Sequence, residues 1–153
     1  MKIAIVLAGV IVLVVAALVA IQPDFLKPAS LTMVKKSDIF GFSPGMTFDE
    51  TNKLVTQRRY RCQGRSTYVL ECEINGAKVT ITSDESDAMH PIRRVHAELN
   101  NQGPRDAAVK SISEQFNAQA VKDGRDGWTW IVGRGLKLSY DGAALTLLDE
   151  ARR

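Results

Sequence analysis

The chain has 153 residues, 45% of them hydrophobic, with 20 Lys and Arg against 17 Asp and Glu and a formal net charge of +3. With 11 Gly, 5 Pro and no biased tract, collagen-like, coiled-coil and long disordered architectures are excluded. The averages conceal a division. Within residues 3–21 only Gly9 falls outside the hydrophobic set, which leaves about 38% hydrophobic residues over the remainder. That remainder is long enough for one core of its own but not for two independent ones.

In chain order, residues 1–22 read as a transmembrane signal-anchor, 23–37 as a linker and 38–153 as an α+β domain. As a helix rising about 1.5 Å per residue, residues 3–21 would span roughly 28 Å, close to the ~30 Å of a bilayer's hydrocarbon core. Cleavage after Ala20 would put Leu18 at the −3 position, where a small residue is preferred, so the segment is expected to remain and hold the chain in the lipid bilayer. Lys2 precedes it, while Lys27, Lys35 and Lys36 follow it, so the positive-inside comparison barely sets its orientation.

The domain reads as two tandem units, about 38–100 and 101–153, each a single helix packed on a short antiparallel sheet. In the first, Thr47 and Glu50 have capping-box spacing and open a helix over 48–57, followed by a strand around Tyr60 and Cys62. Asn75-Gly76 predicts a type I′ hairpin, since this dipeptide tolerates positive φ at both positions. Ile74 would then face Ala77, and Leu70, Cys72, Ile74, Val79 and Ile81 would point inward. Over residues 92–99, Val95, Ala97 and Leu99 take one face and Arg94, His96 and Glu98 the other.

The second unit opens with Pro104 as its first helical residue and runs to Asn117, with Val109, Ile112 and Phe116 on the packing face. Residues 118–121 take the place of the Cys62 strand, residues 122–127 form a loop, and strands begin at Trp128, Leu136 and Ala143. Asp141-Gly142 reads as a second I′-type turn.

Few residues invite chemistry. Cys62 and Cys72 are expected to form a cross-strand disulfide, the alternatives being buried free thiols or a redox pair. Such a bridge places the domain in an oxidising space, hence outside the cytoplasm, facing the periplasm from an inner membrane. Asp84, Glu85, Asp87 and His90, with His96, suggest a metal-dependent hydrolase, but the spacing has no fixed geometry behind it and a solvated acidic loop is preferred. Residues 123–127 resemble a calcium loop only until Arg125, which stands where a ligand is needed. No metal and no cofactor are expected, and neither is an enzyme.

Two surfaces remain. Arg58, Arg59, Arg61 and Arg65 fall within eight residues and form a candidate patch for anionic lipid, an acidic partner or cell-wall polymer. Nucleic acid is not expected, since net charge beyond residue 28 is only about +2. Trp128 and Trp130 are core if Gly133-Arg134-Gly135 is a three-residue loop, and an exposed aromatic patch if the turn has two residues; the first register buries more apolar area and is the one expected.

The stretch Ile39-Phe40-Gly41-Phe42-Ser43-Pro44-Gly45-Met46-Thr47, followed by Asp49, Glu50 and a short helix, resembles the "PGMT" opening of the SmpA/OmlA (BamE-like) outer-membrane assembly proteins. The helix-then-strands unit, met twice, also looks like the beta-lactamase-inhibitor-protein architecture. The resemblance implies a binding or scaffolding module of the bacterial envelope without catalytic activity. It covers about 17 residues, no lipoprotein cysteine follows the apolar segment, and the second unit lacks the motif at Gly103-Pro104-Arg105. A scaffold that binds a protein or envelope component is thus expected, with an accessory subunit of a membrane complex as the alternative.

Overall fold

A computed structural model describes residues 36–100 and 103–151. All of them lie in the second of the two units into which the chain divides, Lys35–Arg153. The expected transmembrane segment, 3–21, lies outside the described residues; among those described, no helix is long and apolar enough to cross a membrane.

The described residues open with a two-residue turn that places Phe40 and Gly41 at φ of 55° and 91°, so that Ile39 and Phe42 pair and enter the core. Gly41 N–H donates to Asp38 Oδ1, and the Tyr60 hydroxyl donates to Phe40 O. Helix α1 (Phe48–Arg58) starts with both capping-box hydrogen bonds, Glu50 N to Thr47 Oγ1 at 3.3 Å and Thr47 N to Glu50 Oε2 at 2.8 Å. It stops at Arg59, whose left-handed backbone lets the chain turn into β1 (Arg61–Ser66).

Strands β2 (Val69–Ile74) and β3 (Ala77–Ser83) follow, joined through Asn75 and Gly76 at φ of 51° and 79°, with Ile74 opposite Ala77 as the I′ turn requires. Strand β4 (Ile92–Glu98) carries an irregularity where Ser83 pairs Ile92 and Thr82 pairs Arg94, so Ile92 and Val95 both turn inward. Helix α2 (Arg105–Phe116) comes next, then β5 (Val121–Asp123), β6 (Gly127–Val132), a 3-10 turn (Gly133–Gly135), β7 (Leu136–Tyr140) and β8 (Ala144–Asp149).

The expectation of two short sheets, one per unit, is wrong. The eight strands among the described residues form a single antiparallel sheet in the order β1-β2-β3-β4-β8-β7-β6-β5. The join is β4 against β8, with Val95 opposite Leu147 and His96 opposite Thr146. Each half alone would leave β4 or β8 as a free edge with an apolar inward row; pairing them satisfies both ladders and makes one core. Val79, Ile81, Val95, Leu138 and Leu147 are fully buried at its centre, and Ile112 and Phe116 of α2 pack onto them.

Smaller expectations also need correction. Pro104 is the N-cap and Arg105 the first helical residue. Residues 122 and 123 belong to a strand, because Asn117 in left-handed conformation prolongs the turn after α2 and delays β5 to Val121. The β7–β8 turn is not type I′, since only Gly142 has positive φ there. The Asp141 carboxylate builds it instead, with Oδ1 accepting from Ala143 N and Ala144 N, each at 2.8 Å.

Candidate binding surface

The sheet's two faces are unlike. One is sealed by the helices and the Ile39–Phe42 turn, and the other carries the outward half of every strand. Across β1 to β4 its middle row is Gln63, Glu71, Thr80 and His96; across β8 to β5 it continues as Thr146, Ser139, Thr129 and Val121. None of these eight is buried. Eight strands at ~4.8 Å spacing, three to seven residues long, define a face on the order of 600 Å², near the ~800 Å² that one partner contributes to a standard interface.

The two halves of that face differ in charge. On β1 to β4, the row Arg61, Glu73, Lys78 and Glu98 alternates in sign from strand to strand. Arg65 Nε lies 2.7 Å from Glu71 Oε2, and Lys78 Nζ 3.8 Å from Glu71 Oε1. The hydrogen bond from Arg65 holds the Glu71 carboxyl below its usual range. On β8 to β5 the middle row is hydroxyls, and Val121 and Ile131 stand 61% and 65% exposed; Lys137 lies between Ile131 and the half-buried Leu148, its Nζ 3.7 Å from Glu150 Oε1, and Asp123 ends β5. Depletion of charged residues sets the centre of a protein interface apart from ordinary surface. His96 marks the boundary between the halves, its Nδ1 2.9 Å from Thr146 Oγ1.

The four arginines divide. Arg58, Arg59 and Arg61 surround a recess of about 330 Å³ at the corner between α1 and β1, whereas Arg65 is drawn away by Glu71. Trp130 is buried, with its indole N–H donating to Ser113 Oγ on α2, and Trp128 is half-buried on the same inward face, opposite Tyr140. The three-residue loop is therefore the one adopted, and neither indole contributes to the open face. Cys62 and Cys72 are register partners bridged by a disulfide, with Cα atoms 4.0 Å apart.

Of the residues that suggested a metal, Asp84, Asp87 and His90 bond the backbone of their own loop. Asp84 Oδ1 accepts from Ser86 N, Asp87 Oδ1 from Met89 N, and His90 Nδ1 donates to Asp84 O at 3.0 Å. The His90 ring meets Tyr68 edge-on, and His96, on β4, has its Nδ1 on the Thr146 hydroxyl. Among the described residues, no group of three or more His, Cys, Asp and Glu side chains is placed to hold a metal ion. The open half-face was missed in the sequence because Thr129, Ser139, Thr146 and Val121 become neighbours only through strand order; the outward alternation on β7 and β8 was the available signal.

Compared with family models, curated proteins and solved structures, the chain matches none.

Proposed function

We propose that this is a binding module of the cell envelope, held at the inner membrane through residues 3–21 with its disulfide-bonded domain in the periplasm, and that it docks a protein partner on the open face of its sheet. The observation that carries this reading is the charge-poor half-face on β8 to β5, where Val121 and Ile131 are presented beside a row of hydroxyls and the lysine of β7, Lys137, is paired with Glu150. The Cys62–Cys72 bridge supports an oxidising location. The scaffold role is in keeping with the BamE-like sequence resemblance.

The test is site-specific photo-crosslinking in cells producing the full-length chain. A photoreactive residue at Thr129 or Ser139 should give one discrete adduct, and the same residue at Lys110, on the exposed side of α2, should give none. Adducts from Lys110 with none from the sheet would overturn the assignment of the face.

A further inference from the structure

A second surface lies at the opposite edge of the sheet. Strand β1 pairs with β2 alone, and five of its six residues are exposed, so one side of its backbone has no strand partner among the described residues. Proteins commonly protect such an edge with a proline, a bulge or a covering element. Here the register shift between Gly64 and Ser66 breaks regularity only at the far end, and the four residues from Arg61 to Gly64 keep a regular register with β2. The disulfide to Cys72 ties this stretch down, so a strand added there meets a preordered template.

The charge around it selects the occupant. The recess at the start of β1 brings Arg58, Arg59 and Arg61 together against the single carboxylate of Glu73. A cation in the last turn of α1 is explained by the helix's C-terminal carbonyls. Arg61, on the strand, is not. Antiparallel pairing with a second β1, centred on Gln63, would set Arg61 against Arg65 of the other copy, which like-charge repulsion disfavours. An acidic strand meets no such penalty.

We propose that the free edge of β1 receives an extended acidic segment of a partner protein as a ninth strand, with its carboxylates on Arg58, Arg59 and Arg61. This goes beyond the open-face reading and does not depend on it, since the two surfaces lie at opposite ends of the sheet.

The test uses the full-length chain in non-ionic detergent and a fluorescent peptide of Glu-Val repeats, followed by anisotropy. Saturable binding is expected, at least tenfold weaker for R58Q/R61Q, unchanged within twofold for R65Q, and lost for a peptide N-methylated at every residue, which has the charges but no strand hydrogen bonds. Amide exchange in the unsubstituted protein should slow over residues 61–64 when the acidic peptide is bound, a readout independent of how the arginine variant folds. Equal binding of the methylated peptide, no slowing at 61–64, or indifference to R58Q/R61Q in a folded variant would each overturn the edge proposal, and the crosslinks at Thr129 and Ser139 would be untouched by that failure.

Discussion

Trp130 of β6 donates its indole N–H to the Ser113 hydroxyl of α2 at 2.9 Å, and that hydroxyl in turn donates to Val109 O. The bond ties the last turn of a helix to the largest side chain in the core. Ser113→Ala leaves the buried indole N–H without its partner and should cost about 1–3 kcal/mol. Adding Trp130→Phe to Ser113→Ala should cost less than the sum of the two changes, because the second removes the donor that the first orphaned. Urea unfolding of the four proteins measures the coupling; strict additivity would mean the hydrogen bond contributes nothing.

The disulfide closes a ten-residue separation, for which restriction of the unfolded chain predicts about 2–3 kcal/mol of stability. C62A/C72A should therefore unfold at lower urea by that amount, and reductant should shift the original protein but not the variant. In intact cells, a membrane-impermeant thiol reagent should label the chain only after reduction. Labelling without reductant would remove the argument for an oxidising compartment.

How far the fold was legible follows from where its information sits. The hairpin at Asn75-Gly76 could be read because the dipeptide itself carries the backbone demand, and alternation then assigned Leu70, Cys72 and Val79 to the core. The burial of Trp130 could be read through the two glycines that allow a three-residue loop. The pairing of β4 with β8 could not, since alternation says which face a residue takes and nothing about which strand lies alongside. With that pairing hidden, one sheet looked like two, and the open half-face had no visible neighbours. The division among the arginines was hidden for a related reason, as Arg65 leaves the cluster only because the hairpin presents Glu71 to it.

Two glycines separate steric from conformational demand. A Cβ on Gly127 would sit 2.6 Å from the Asp123 carbonyl oxygen, a backbone atom of the paired strand, while one on Gly64 would find nothing nearer than 3.9 Å. Gly127→Ala should open the β5–β6 hairpin, seen as faster amide exchange at residues 121–123. Gly64→Ala should leave stability unchanged or raise it by up to about 1 kcal/mol, since alanine reduces the freedom of the unfolded chain. Undisturbed exchange at β5 in Gly127→Ala would show that the strand absorbs the clash by shifting.

The turn at Asp141 has a pH dependence whose sign is set by its donors. Hydrogen bonds from the Ala143 and then the Ala144 backbone N–H groups hold the Asp141 carboxyl below its ordinary value of 3.8. A carboxyl lowered on folding binds its proton more readily in the unfolded chain, so its contribution is complete above the unfolded pKa and is lost as pH falls through the folded one. Glu50, lowered chiefly by the Thr47 backbone N–H, and Glu71, lowered chiefly by Arg65, act in the same direction. Stability should therefore decline on acidification from about pH 5 toward pH 2. Asp141→Asn retains an acceptor oxygen but cannot titrate, so its stability should fall less steeply over that window. Urea midpoints of both proteins across the window test this; parallel slopes would mean that the charge on Asp141 contributes nothing to the turn that closes β7 onto β8.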